Sequence, residues 1–288
     1  MEGIIHSDAI TTVSPTYARE ILTEEYGCGL EDVLLGREGR IFGILNGIDN
    51  NWHHMMAHRL IRYPYLLVEK DIQKNSTLNA YSWEEGKKLN KLYLQKKLGL
   101  KVDQSMPLIS FIGRFDPYQK GVDIIHKMLL RINLEKCEFV ILGSGDPHWE
   151  ERFQWLAKFY PKNISCNFIF DEVLAHQIYA GSDFILIPSK FEPCGLVQMV
   201  AMFFGTLPIA HATGGLRDSI KDGETGYLFN KYSSASLEYS LNRAIGIWLQ
   251  GRKRYKTMVE NAMKVDFSWD KSAREYLSLY QKLVNGEL

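Results

Sequence analysis

The chain has 288 residues, 45% hydrophobic, 24% charged and 12% aromatic, and its 34 lysines and arginines match 34 aspartates and glutamates. That is ordinary globular composition, long enough for one or two domains. With no net field, nothing draws it to nucleic acid or an anionic membrane, so any anion it binds must be held by local groups.

The N-terminus, MEGIIHSDAI, carries Glu2 and Asp8 and lacks a charged-then-apolar signal layout, and no apolar run approaches the ~18 residues a membrane span needs. Cys28, Cys137, Cys166 and Cys194 show no CxxC pairing and no metal-ligand spacing. A reduced, cytosolic-type compartment is the better reading.

In chain order, short β-branched or aromatic runs alternate with segments of helical period. Strands are predicted at Ala9 to Val13, Arg40 to Leu45, Leu108 to Ile112, Glu138 to Leu142, Ile164 to Phe170, Phe184 to Pro188 and Leu207 to Ala210. Helices are predicted at Pro15 to Glu25, Glu84 to Leu98, Val122 to Ile132, His148 to Tyr160, Val173 to Ala180 and Gly195 to Phe204. After Tyr232 the chain is helical, with Ser268 as the N-cap of a last helix. Such alternation predicts an α/β fold, a doubly wound parallel sheet with helices on both faces. Asn50 to Ser82 has no sustained period and reads as an irregular connection.

In an open parallel sheet, ligands collect outside the carboxyl ends of strands. Three loops there are chemically loaded. In GRFDPYQKG, Arg114 and Lys120 flank a Gly- and Pro-containing turn at a helix start, which suits a diphosphate; the plain alternative is a surface turn with two solvated charges. In AHATGGLRD, paired glycines at a strand-to-helix junction let backbone N–H groups approach a phosphate, although Gly-Gly turns are common. In PSKFEPCGLVQ, Glu192 follows the strand FILIP. A helix-dipole partner would explain its charge but not Phe191, Cys194 or Gly195.

Other candidates are weaker. His54 and His58 have i, i+4 spacing without a third ligand in view. The run GSGDPH lacks both the Lys-Ser/Thr of a P-loop and the third glycine of a dinucleotide fingerprint. No Asp-x-Asp occurs, so no metal and no cofactor is implied. Cys194 sits beside an acid, where a catalytic thiol would want a cation.

The segments SDAITTVSPTYAREI, GILNGID, GRFDPYQKGVDII, PSKFEPCGLVQ, ATGGLRDSI, GETGYLF and FSWDKSAREYLSLY occur in an order and at separations that resemble bacterial glycogen synthases and plant starch synthases. The resemblance thins only across Asn50 to Asn90. It implies two facing Rossmann-like domains, with the sugar nucleotide held mostly by the C-terminal one. The implied reaction transfers glucose from ADP-glucose, or sometimes UDP-glucose, to the non-reducing end of an α-1,4-glucan with retention. No dedicated enzyme nucleophile takes part, and the leaving phosphate helps to accept the acceptor proton.

By that resemblance Arg114 and Lys120 would bind the diphosphate. Thr213, Gly214, Gly215 and Leu216 would lie near the distal phosphate, the last three offering backbone donors. Glu192 would face the donor glucose, with backbone groups at Cys194, Gly195 and Leu196 sharing that task and no second acid close by. Phe170 would stack on the base, and His176 on the following helix could approach the nucleotide or be a satisfied core or surface histidine. Val200 stands where many related transferases carry a second glutamate that binds the ribose, a glutamate that glycogen synthases of the bacterial type also lack, so the ribose contact is unassigned.

The resemblance divides the chain into residues 1–49, the end of an N-terminal domain and linker; 50–265, the donor-binding domain; and 266–288, a helix that would pack back on the N-terminal domain. The family's Lys-x-Gly-Gly-Leu loop does not precede Met1, so this is expected to be about half a catalytic unit, weakly active alone and dependent on a separate N-terminal domain or subunit. The apolar surface around Trp269 to Leu283 would then be exposed or used in self-association. The compartment would be the cytoplasm, or the plastid stroma for a plant-type source. Two alternatives stand: a non-catalytic nucleotide-binding or assembly module, which would have no need of Arg114, Lys120 and Glu192 together, and a related retaining transferase with another sugar nucleotide.

Overall fold

A computed structural model describes residues 1–49, 60–67 and 80–288. His54, His58 and most of the Asn50 to Ser82 connection therefore lie outside the described residues. After α1 (Glu2–His6) comes β1 (Ile10–Thr12), which pairs in parallel with β2 (Ile41–Gly43). Between them lie α2 (Pro15–Glu20) and α3 (Glu31–Leu35). Ser14 caps α2, accepting from Tyr17 N, and Pro15 takes the first helical position, where its missing N–H costs nothing. The short strands β3 (Tyr65–Leu66) and β4 (Tyr81–Ser82) pair ahead of α4 (Trp83–Lys97).

The main sheet alternates with helices: β5 (Leu108–Ile112), α5 (Val122–Leu129), β6 (Glu138–Leu142), α6 (Pro147–Phe159), β7 (Ile164–Asn167), α7 (Glu172–Gly181), β8 (Phe184–Ile187), α8 (Val197–Phe203), β9 (Leu207–His211), α9 (Gly214–Ser219) and β10 (Tyr227–Phe229). Three helices follow: α10 (Ser234–Gln250), α11 (Arg252–Met263) and α12 (Trp269–Val284).

All six strands are parallel, in the order β7-β6-β5-β8-β9-β10. Both faces are covered. Leu108, Val140 and Leu142 pack with Leu94, Leu174 and Ile178 from α4 and α7, whereas Ile109, Phe111, Phe139 and Ile141 join the larger cluster with Ile125, Leu241 and Val259. Burial on both faces is why these strands read as unbroken apolar runs, and the expected doubly wound α/β sheet is the one that forms.

Several boundaries differ from those expected. The strand from Ile164 stops at Asn167, and the chain then turns so that Asp171 caps α7, accepting from Leu174 N at 2.9 Å. The helix from Pro15 ends at Glu20 in a run of turns, Leu22 N donating to Arg19 O and Thr23 N to Glu20 O. The helix expected from Gly195 begins at Val197, because Gly195 takes a left-handed φ of 73°. Among the elements left unread are α1, α3, α9 and β10, all of six residues or fewer, and the break between α10 and α11 at Gly251.

Helix α12 returns to the N-terminal segment. Ile48 bridges Ser268 and donates to Phe267 O at 2.7 Å, and Ser272 Oγ donates to Leu45 O at 2.6 Å. Trp269, Leu277, Tyr280 and Val284 are left exposed.

At the amino end of the sheet, Lys87 of α4 is fully buried, its Nζ donating to Phe204 O at 3.0 Å, Ala180 O at 3.3 Å and Thr206 Oγ1 at 2.8 Å. It satisfies carbonyls that end α7 and α8. Burial lowers its pKa from 10.5 to about 7, against the opposing pull of the nearby Asp183 carboxylate and with a smaller push from the Lys91 ammonium. A depressed folded pKa means that the unfolded chain binds the extra proton between about 7 and 10.5, so this group's contribution grows as pH rises through that window and is lost as pH falls. Urea unfolding should therefore show the natural chain gaining on Lys87→Met by about 1 kcal/mol per pH unit between pH 7 and 9.5. A difference that is flat across that range would refute the shift.

Candidate functional site

The strand order reverses between β5 and β8: the chain goes from β5 to β6 and β7 on one side, then returns to place β8, β9 and β10 on the other. A crevice opens at the carboxyl ends of strands flanking such a reversal. The loop after β5 is GRFDPYQKG and the loop after β8 is PSKFEPCG.

The first loop has a defined shape. Asp116 Oδ1 accepts from Tyr118 N at 2.9 Å and Gln119 N at 3.2 Å, an Asx-type turn. Gly121 closes it with φ 71°; a side chain there would place its Cβ 2.2 Å from Pro188 O. Lys190 N donates to Gln119 O at 2.7 Å, so the two loops are clasped. Lys120 Nζ thereby reaches Glu192 Oε2 at 2.6 Å, across 72 residues of sequence.

Glu192 is 9% exposed, and Ser189 Oγ also donates to its Oε2, at 2.9 Å. Both bonds fall on one oxygen, which leaves Oε1 as the one available to a ligand. Arg114 is exposed at the rim, Nη2 donating to Gln119 Oε1 at 3.0 Å. Gln198, fully buried, donates to Cys194 O at 3.0 Å and Gly195 O at 2.9 Å, holding the bend below a half-exposed Leu196. Burial pushes the Cys194 thiol up, with Glu192 and Asp218 adding to it, which suits packing and not nucleophilic attack.

A protein-family model described as "Glycosyl transferases group 1" matches residues 95–265, more than half of the chain. The chain belongs to the group 1 glycosyltransferases. A second model, the starch synthase catalytic domain, matches residues 1–36. The glycogen synthase of Petrotoga mobilis is 45% identical over 285 residues, covering 97% of this chain and 56% of that protein. That of Lactococcus lactis is 41% identical over 288 residues, covering 98% and 57%. The catalytic domain of starch synthase IV from Arabidopsis thaliana, solved bound to ADP and acarbose, superposes with a TM-score of 0.82 at 35% identity, covering 98% of this chain and 57% of that one. The chain thus spans little more than half the length of these relatives.

The other candidates of this glycosyltransferase fall into two groups. Phe170 lies on the loop after β7 with its ring 96% exposed, open to a stacking partner. His176 is instead 4% exposed, its Nδ1 2.7 Å from Glu172 O and its ring edge-on to Phe204. Because Phe204 stands just before β9, at the amino end of the sheet, the imidazole packs there as a core histidine, the second of its two readings.

The Gly-Gly turn also departs from expectation. Thr213, Gly214, Gly215 and Leu216 lie against the Glu192 loop, but their N–H groups are not open. Gly214 N donates to Glu20 Oε1 at 3.0 Å, Gly215 N to Glu192 O at 3.0 Å and Leu216 N to Thr213 O at 3.1 Å. Glu20 is therefore an acid brought close to the Glu192 loop, where none was expected.

Several residues of this edge were missed from sequence. Ser14 Oγ donates to Pro193 O at 2.7 Å, and Thr16 donates to Asp218 through its N at 2.7 Å and its Oγ1 at 2.6 Å. His211 Nδ1 lies 2.9 Å from Ser189 O, an arrangement that puts the proton on Nδ1. The buried-polar signal was present in PSK and SPTYARE, but pairing across about 200 residues has no local sequence mark.

Proposed function

We propose that this chain is the donor-binding half of a glycogen- or starch-synthase-type glycosyltransferase, which transfers glucose from ADP-glucose to the non-reducing end of an α-1,4-glucan with retention. The observation that carries this reading is the meeting of Lys120 and Glu192 at the sheet's reversal point. A scaffold would have no need of a carboxylate and a cation clasped there. Family membership supports it, as does the ADP and acarbose bound to the similar starch synthase IV.

In this reading Lys120 and Arg114 hold the diphosphate and oppose the charge that grows on it as the glycosidic bond breaks. The freed oxygen of Glu192 accepts from hydroxyls of the donor glucose and favours positive charge near the anomeric carbon. Phe170 offers its ring face to the base, which adenine or uracil would satisfy, so ADP-glucose and UDP-glucose are to be set against each other in competition binding. Residues 1–49 and 266–288 belong to the junction with an N-terminal domain or subunit that brings the α-glucan acceptor. Transfer requires both walls to close on the donor and exclude water.

The isolated chain is expected to bind ADP and ADP-glucose weakly by titration calorimetry and to incorporate little labelled glucose into glycogen. Robust elongation by this chain alone would sink the half-site reading. No measurable heat with either nucleotide at millimolar concentration would sink the donor site.

A further inference from the structure

We propose that Glu20 is a positioning residue for the donor site: through the Gly-Gly turn it holds the loop that carries Glu192. This rests on the donor-site reading above for its consequence, but its geometry stands apart from it. One oxygen, Oε1, accepts from both Gly214 N at 3.0 Å and Thr213 Oγ1 at 3.1 Å. The turn so fixed passes the constraint on, because Gly215 N donates to Glu192 O at 3.0 Å and to Pro193 O at 3.2 Å.

The turn has little freedom to relax. Gly214 sits at φ 42° with its Cα so close to the next loop that a Cβ would meet Glu192 O at 2.1 Å, and a Cβ on Gly215 would meet Cys194 O at 2.1 Å. The two backbones are in direct contact, so a shift of one moves the other. Ser14 Oγ donates to Pro193 O, the carbonyl that Gly215 N also reaches, and Thr16 fixes Asp218 on α9. Helix α2 and its cap therefore hold the Glu192 loop both directly and through the Gly-Gly turn, with Glu20 at the last turn of the helix as the contact that reaches the glycines.

The chemistry of the pair also speaks for positioning. Oε2 of Glu20 is buried and has no hydrogen-bond partner among the described residues, so only Oε1 is employed. An amide oxygen would meet the same two donors, and glutamine is the variant that keeps the function if the hydrogen bonds carry it. An acceptor shared by a backbone N–H and a hydroxyl is felt on removal as roughly a tenfold change.

The test compares Glu20→Ala and Glu20→Gln in the full chain by hydrogen exchange and by ADP titration. Glu20→Ala should speed exchange of the 189–196 and 213–219 segments by about tenfold, with 108–112 and 138–142 unchanged, and weaken ADP about tenfold. Glu20→Gln should restore both to within about twofold of the natural chain. Should Glu20→Ala not fold, Glu20→Asp, one methylene too short to reach Gly214, carries the same comparison. Unchanged exchange at 189–196 in the folded variant overturns the proposal, as does glutamine failing to restore it. If the natural chain does not bind ADP, the donor-site reading fails, and the exchange measurements still decide the role of Glu20.

Discussion

Lys120→Ala is expected to weaken ADP binding by about 10- to 100-fold, the loss of one charge-assisted contact to phosphate at about 1.5–3 kcal/mol, whereas Glu192→Gln should leave ADP binding unchanged or tighten it a few fold. The signs differ because the two side chains are committed to each other at 2.6 Å. In the ligand-free chain Lys120 is drawn to Glu192, and an entering diphosphate competes with that carboxylate for the same ammonium. Neutralising Glu192 frees the cation and removes a negative charge from beside the phosphates. If Glu192 faces the sugar as proposed, the same substitution should abolish any preference for ADP-glucose over ADP. Calorimetry at two salt concentrations checks both arms, and Lys120→Ala should also flatten the salt dependence. If Glu192→Gln weakens ADP as much as Lys120→Ala does, Glu192 shapes the loop and does not face the sugar.

This prediction depends on a contact that joins two loops, and it shows what a sequence can and cannot carry. The runs LISFI, EFVIL, FILI and LPIAH were legible because strands buried on both faces must be apolar throughout, and their carboxyl ends located the loaded loops. The strand order was not legible, and it alone brings Lys120 beside Glu192. The two readings of His176 could not be separated because helical period does not say which apolar neighbour a ring will meet; Phe204 decided between them. The backbone donors of Gly214 and Gly215 were taken as open because the acceptors that engage them, Glu20 and the Glu192 carbonyl, lie far off in sequence. The short elements β10 and α9 carry too few residues of one pattern to stand out from the turns around them and were lost for that reason.

The largest loss of stability is expected from Asp183→Ala, at the opposite end of β8 from the Glu192 loop. Asp183 Oδ2 accepts from Lys91 Nζ at 2.7 Å and Leu108 N at 2.8 Å, while Oδ1 accepts from Tyr255 OH at 3.2 Å. One carboxylate, on the residue just before β8, thus ties α4, β5 and α11 to the start of the strand. Burial, with Asp183 adding to it, holds the Tyr255 hydroxyl well above its usual range, so it stays a donor. Lys91 is itself buried, with Nζ 4.6 Å from the centre of the Trp248 ring. Truncating Asp183 strands that ammonium and leaves a backbone N–H and a hydroxyl without their acceptor, for which about 3–5 kcal/mol is the expected cost. Against a total of about 5–15 kcal/mol this is a large share, and Tm should fall by roughly 10 °C. Because the penalty comes from the unpaired cation, Asp183→Leu combined with Lys91→Met should recover much of it. Thermal and urea unfolding of the two variants beside the natural chain decide the matter: a loss under about 1 kcal/mol for Asp183→Ala, or a double variant no better than the single, would show that the charge pair does not anchor this end of the strand.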